Sequence, residues 1–468
     1  MKFTAAIAAA VLSGSAEAFW RMECRGRSGL ARIDPLVSPG VASAHAHTIF
    51  GSSGFTDTSG SDELIAGDCT SCAVTEDKSA YWTPPMYFKN AATGQYKLVT
   101  QVGGMLSYYF LNYAPGETKI TAFPHGMEMI AGDTNQRNFT AGESAPTTQK
   151  GLAQKALGFN CLNYDKAAEG SLYRHFMPDK AYLDANCKDG IRAELMFPSC
   201  WNGKDVTSAN KMDHVAYPST VMDGTCPEGF PIRLPGLFYE TIWNTAEFDG
   251  VDGEFVFSNG DPTGYGYHGD FIMGWEETFL QSAVDTCTNL SGRIQDCPLF
   301  TLQTNVVSQA CHIKKPTGIL GSVLAAENLV GPIPSLPGGV KLTPGPGYVV
   351  KGAAPVADAS TVVVPTLSHS AGSTIAPSAT AAPGGVFKEN NAAIAKVADV
   401  AAPATTEKPS LSLAANQKVS KTSYITQGGS VVEVIVIEEV TTVTDDVKTR
   451  TVTAEVRKRA HRHGRRHN

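Results

Sequence analysis

Two short stretches hold the residues best suited to chemistry: Ser43-Ala44-His45-Ala46-His47-Thr48-Ile49-Phe50-Gly51 and Tyr265-Gly266-Tyr267-His268-Gly269-Asp270-Phe271. Strand side chains alternate with period two, so His45 and His47 share one face if their segment is extended. Imidazole nitrogen suits zinc, copper or iron, and two rings on one face are part of such a site. His268 and Asp270 repeat the spacing of two, and the turn Gly264-Tyr265-Gly266 can lay them across from the first strand. The expected metal ligands are therefore His45, His47, His268 and Asp270, around one divalent ion that would polarise an oxygen or activate water. The expected catalytic set is His214, Tyr267, His268 and Asp270. Structural histidines, each satisfied by a hydrogen bond, are the competing reading.

His214 lies in Asp213-His214-Val215-Ala216-Tyr217-Pro218. Neighbours on a strand point opposite ways, so Asp213 is not expected to touch it, yet His214 can still orient a substrate or act as a base. Tyr267 is the aromatic residue least readily assigned to packing, because it adjoins His268. His125, in Phe123-Pro124-His125-Gly126, reads as a turn residue, and His175 and His312 lack supporting neighbours. A rival scheme uses the carboxylates Glu240, Asp249, Asp252, Glu254, Asp261 and Asp270. Glycoside hydrolysis needs two carboxyls about 5–10 Å apart, which spacing in sequence does not fix. Asp249 and Asp252 read better as turn formers. Trp20, Trp82, Trp201, Trp243 and Trp275 could offer flat faces to sugar rings, although aromatic residues mostly fill cores. No Gly-rich phosphate loop, serine elbow or kinase-like motif is present.

The elements that must position these residues read as mainly β. Short apolar runs at Tyr96–Val102, Met105–Tyr113, Ile191–Phe197, Leu237–Trp243 and Glu254–Phe257 are bounded by turn residues such as Asn90-Ala91-Ala92-Thr93-Gly94 and Ala114-Pro115-Gly116. Helical periodicity is limited to Thr147–Leu157 and Trp275–Thr286. Strands and helices do not alternate, which disfavours a parallel α/β fold. The expected fold is a disulfide-rich antiparallel β-sandwich or jelly-roll-like domain with small helical insertions, followed by a disordered tail.

Residues 1–18 read as a secretory signal, with Lys2, an apolar run from Phe3 to Leu12, and Ala16-Glu17-Ala18 as the cleavage site. The ten cysteines all follow it, and an even number in an oxidising compartment favours disulfides. Cys69-Thr70-Ser71-Cys72 resembles half a zinc site, but no second pair stands at zinc-ribbon spacing. Two sequons, at Asn138 and Asn289, would accept N-glycans at the surface. The globular domain is expected over residues 19–331. An Ala/Ser/Thr/Pro-rich stalk follows over 332–422, too poor in apolar surface to offset ordering entropy. Residues 423–468 combine a Val-rich segment from Ser430 to Val443, which needs a strand partner, with a basic His/Arg-rich end. A net charge of −7 argues against a nucleic-acid partner, and no later segment offers a membrane span.

An ordered series of motifs adds a resemblance. Trp20-Arg21-Met22-Glu23-Cys24 is followed by Asp34-Pro35, the His45/His47 stretch, and Cys69-Thr70-Ser71-Cys72. Asp77-Lys78-Ser79-Ala80-Tyr81-Trp82-Thr83-Pro84-Pro85-Met86-Tyr87, Phe197-Pro198-Ser199-Cys200-Trp201-Asn202-Gly203 and Asp213-His214-Val215-Ala216-Tyr217-Pro218 come next. Gly264-Tyr265-Gly266-Tyr267-His268-Gly269-Asp270-Phe271-Ile272-Met273-Gly274-Trp275 closes the series. Together they resemble a family of secreted fungal proteins known as a domain of unknown function, DUF1996. The resemblance implies one secreted domain and supplies no activity. Two functions follow as expectations. One is a carbohydrate-active enzyme acting outside the cell on wall polysaccharide through the His/Asp site. The other is a non-catalytic glycan-binding or cell-wall structural protein.

Overall fold

Two five-stranded antiparallel sheets face each other in the computed structural model. It describes residues 18–113, 117, 119–139, 148–345 and 349, together with 417–427 and 430–439. The first sheet orders its strands Ala18–Cys24, Gln101–Leu111, Gly236–Trp243, Ile191–Met196 and Leu157–Cys161. The second orders Gly29–Ala31, His47–Gly51, Ala80–Thr83, His268–Ile272 and Glu128–Gly132. Two three-stranded sheets flank them: Val215–Ala216, Cys200–Trp201 and Ile232–Arg233, and Gly253–Phe257, Met86–Asn90 and Tyr96–Leu98. The expected antiparallel sandwich is what forms.

The period-two alternation explains why the sheets stack. Trp20, Met22, Met105, Tyr109, Leu195 and Tyr239 from the first sheet meet Phe50, Tyr81, Met129 and Phe271 from the second in one buried core. Tyr81 and Tyr239 touch edge to face at 5.6 Å. At Gly269 the layers approach closely. A Cβ there would stand 2.6 Å from Leu195 Cδ2 and 3.3 Å from the Tyr239 ring, so any side chain would wedge the sheets apart.

The outward faces are also covered. On the first sheet Phe19, Leu106, Tyr108, Phe110 and Phe238 pack under Leu152 and Ala156, beside the helix Gln149–Lys155, and under Tyr217 and Val221. On the second sheet Ile49, Ala80, Trp82 and Ile272 pack under Ile33, Leu36 and Phe55 from irregular segments and under Leu64 from the short helix Ser61–Ile65. The helix Glu277–Thr286 buries Leu280, Ala283 and Val284 and is capped by the Glu276 carboxylate. Both helices expected from sequence are present. The run expected at Tyr96–Val102 is broken, ending one strand at Leu98 and starting the next at Gln101.

All ten cysteines pair: Cys24–Cys72, Cys69–Cys311, Cys161–Cys187, Cys200–Cys226 and Cys287–Cys297. Cys69 and Cys72 take different partners, which ends any zinc reading of that motif. Residues 332–345, placed in the stalk by composition, pack on the body. Ile333 and Leu336 are buried, Ile333 bridges Tyr96, and Thr343 hydrogen-bonds Gly260. In a separate unit the Val-rich segment Ser430–Glu439 pairs antiparallel with Gln417–Gln427. Residues 1–17, most of the stalk and the basic end lie outside the described residues. Among the described residues no helix is long and apolar enough to cross a membrane.

Candidate metal centre

The outward face of the second sheet carries the centre. Asp270 pairs with Trp82, and Trp82 with Ile49, so these three positions lie in one row. His47 is two residues before Ile49 and His268 two before Asp270, and alternation therefore puts both imidazoles on the same outward face. His45 precedes the strand in the segment leading into it. Ser258 Oγ donates to the Ala46 carbonyl at 2.6 Å and pins that segment between the two histidines.

One candidate ligand atom from each of His45, His47 and His268 lies within 4.8 Å of the others, the one such cluster of His, Cys, Asp and Glu among the described residues. His45 Nε2 and His268 Nε2 are 3.0 Å apart. His47 Nδ1 sits 3.0 Å from the Ile33 carbonyl and His268 Nδ1 2.9 Å from the Gly266 carbonyl. A carbonyl only accepts, so each Nδ1 carries the proton and each Nε2 keeps its lone pair. His47 Nε2 is buried without a hydrogen-bond partner. This is how metal-binding histidines are prepared, with one nitrogen committed to a carbonyl and the other aimed inward.

Electrostatics favours neutral rings. Burial lowers His47 to about 4, against the opposing pull of the Ile33 carbonyl. Burial likewise lowers His268 to about 4, with the Gly266 carbonyl opposing and His47 reinforcing. His45 falls well below its ordinary value through burial, then through His47, His268 and Arg137. Only neutral imidazole binds a metal, so the set is ready at neutral pH. His45 is half-buried, while His47 is fully enclosed and His268 nearly so.

The residues fit an ion. Tetrahedral zinc with Zn–N near 2.0–2.1 Å needs nitrogens about 3.3 Å apart. The 3.0 Å pair is close to that, and all three candidate ligand atoms lie within 4.8 Å of one another. Three is the number of protein ligands that catalytic zinc sites supply, where structural sites supply four.

Asp270 stands on the same face but outside the close group of ligand atoms. Its Oδ2 is buried without a hydrogen-bond partner, and burial, then Asp34, push its carboxyl well above the usual range. Asp34 is the residue that motif reading did not single out for chemistry. Its Oδ1 accepts from the N–H groups of Leu36 and Val37 at 3.1 and 3.2 Å. Burial raises its carboxyl, offset by those two bonds and by His268. Its signal in sequence is the Asp-Pro turn directly after Ile33, whose carbonyl orients His47.

The structure does not bring His214 or Tyr267 to the cluster. His214 Nδ1 lies 3.0 Å from Ser208 Oγ, beside one of the small flanking sheets. Tyr267 adjoins His268 and therefore points the other way, into the core. Its hydroxyl lies 3.1 Å from Thr241 Oγ1, its ring packs on Phe257 and Phe159, and burial raises it to about 12. The rival carboxylates disperse. Glu254 pairs with Lys89, Asp249 and Asp252 sit in an exposed turn, and Glu240 lies on the other sheet with Arg192. Trp20, Trp82, Trp243 and Trp275 are core residues.

With this geometry established, the family follows. A family model described as a domain of unknown function (DUF1996) matches residues 34–275, from the first aspartate beside the centre to the tryptophan after its last strand. The chain belongs to that family. No curated protein and no solved structure matches it.

Proposed function

We propose that this protein is a secreted, metal-dependent enzyme acting on extracellular or cell-wall polysaccharide. The observation that carries the reading is the buried cluster of three neutral histidines, two of them held by carbonyls with their Nε2 lone pairs directed inward. His45, His47 and His268 would hold one divalent ion through those nitrogens, and the ion would supply Lewis acidity toward an oxygen. Asp270 and Asp34 are the carboxyl groups placed to receive or return a proton near it. Five disulfides support secretion, and the Ser/Thr/Pro-rich stalk supports work within a glycan matrix.

Elemental analysis of the full secreted chain beside the His45→Ala/His47→Ala double variant tests this. The basic end, with its own histidines, is the same in both, so it cancels in the difference. One equivalent of metal lost in the variant, together with lost turnover on wall polymers, is the expected result. Equal metal in the two proteins would remove the metal reading. Glycan binding that survives the double substitution, without turnover by either protein, would favour a non-catalytic wall protein.

A further inference from the structure

His268 does not set its own orientation. Its Nδ1 meets the Gly266 carbonyl, and that same carbonyl accepts a second hydrogen bond, from Asn259 Nδ2 at 2.9 Å. The N–H of Gly266 donates to Asp261 Oδ2 at 2.7 Å. The peptide groups on both sides of Gly266 are thus fixed by two side chains from the preceding turn. Asp261 is itself held, since Oδ1 accepts from the Thr263 N–H at 2.8 Å and hydroxyl at 2.6 Å and lies 3.6 Å from Arg137 Nε. Asn259 Nδ2 also reaches the Thr134 carbonyl at 3.2 Å. The site is closed: Asp261 is fully buried, and a Cβ on Gly266 would fall 2.4 Å from Arg137 Nη1.

We infer that Asn259 and Asp261 are positioning residues that keep the proton of His268 on Nδ1, and so keep its Nε2 lone pair turned toward the cluster, where His45 Nε2 lies 3.0 Å away. The inference rests on the metal-centre reading above. A carbonyl held by a second donor cannot turn away from the imidazole, and an imidazole facing it must present N–H. Without that hold, the ring is free to carry its proton on Nε2, the form that occupies the metal-binding lone pair. His47 is the internal control, because its carbonyl partner is Ile33 and owes nothing to this turn.

The test compares the full-length, metal-free protein with Asn259→Ala by long-range proton–nitrogen NMR of the imidazoles, followed by zinc affinity from chelator competition. Nδ1–H signatures for both His47 and His268 are expected in the unsubstituted protein. In Asn259→Ala the His268 signature shifts toward Nε2–H, that of His47 stays, and zinc affinity falls about 10–100-fold. Asn259→Asp keeps the side-chain shape without a donor and is expected to do the same. Asp261→Asn keeps an oxygen to accept from Gly266 and is expected to shift neither readout by more than a few-fold. An unchanged His268 signature with unchanged zinc affinity in both Asn259 variants would overturn the inference. So would a parallel change at His47, which would mean general loosening. A protein that binds no zinc at this cluster would refute the metal reading, while the tautomer comparison would still decide this one.

Discussion

The two main sheets each bury a polar cluster on the outward face, and the clusters are built on opposite principles. On the first sheet Arg192 lies 2.6 Å from Glu194 and 3.4 Å from Glu240, which stands opposite Glu194 on the neighbouring strand. Tyr108 donates to Glu240 at 2.8 Å, and Leu172 N–H and Asn160 Nδ2 donate to Glu194 at 2.6 and 3.2 Å. There one arginine cation is shared between two glutamates. On the second sheet the groups are neutral imidazoles and carboxyls, and His47 Nε2 and Asp270 Oδ2 face no partner. On the first sheet Arg192 Nε makes no hydrogen bond either, but the cluster sets its cation against carboxylates, and a buried cluster compensated in that way is structure. One that leaves histidine and carboxyl atoms converging without partners is a candidate place for something else, because an unpaired buried polar group is costly.

Breaking the first cluster should have the largest effect. Arg192→Met leaves two buried carboxylates without their cation, and about 3–5 kcal/mol of stability should be lost, read from the denaturant midpoint. No comparable loss is expected for a substitution confined to the second cluster in the metal-free protein. There the large effect should come from the ion. Zinc at about 100 times its dissociation constant should stabilise the native protein by about 2.7 kcal/mol, and the His45→Ala/His47→Ala variant should show no such gain. Equal gains in both would mean that the ion binds elsewhere. Asp270→Asn should change metal-free stability at neutral pH by about 1 kcal/mol or less, since it replaces a carboxyl that makes no bond through Oδ2. A loss as large as that of Arg192→Met would show a hidden partner and dissolve the contrast.

The smallest effect is a slope. Burial raises Glu194 to about 7, with Arg192 opposing and Glu240 reinforcing, because two carboxylates share one guanidinium. The folded-state value lies above the unfolded one, so the native protein binds the extra proton. That contribution is complete below about pH 4.5 and is lost as pH rises through about 7. Between pH 5 and pH 8 this loss opposes the gain from His47 and His268, whose folded-state values lie below the unfolded one, so Glu194→Gln should steepen the net rise of stability with pH. An unchanged slope in that variant would assign the proton to another group.

Much of the centre was legible because strand periodicity is strict. His268 and Asp270 at spacing two share a strand face by geometry alone, and the sheet order lays His47 on that same face, whereas His45 sits in the bend before its strand and arrives by local turn geometry. The same rule carries the sign for Tyr267, whose place next to His268 sends it to the other face, so adjacency in sequence is evidence against a shared site. What the sequence does not show are the residues that act through turns. Asp34, Asn259 and Asp261 make their contacts through backbone N–H and carbonyl groups, whose directions depend on turn geometry rather than on residue type. The packing of residues 332–345 was hidden for a related reason. Proline and glycine mark irregular backbone, and irregular backbone can still be buried, as Ile333 and Leu336 are.

The Cys69–Cys311 bridge spans 242 residues, and the stretch it encloses contains most of both sheets and His268. A single backbone cut anywhere inside that stretch leaves one covalent molecule, with the nicked ends held beside their native neighbours. Digestion by an endoprotease would then look complete on a reducing gel and absent on a non-reducing one, and the cleaved protein could retain its centre intact.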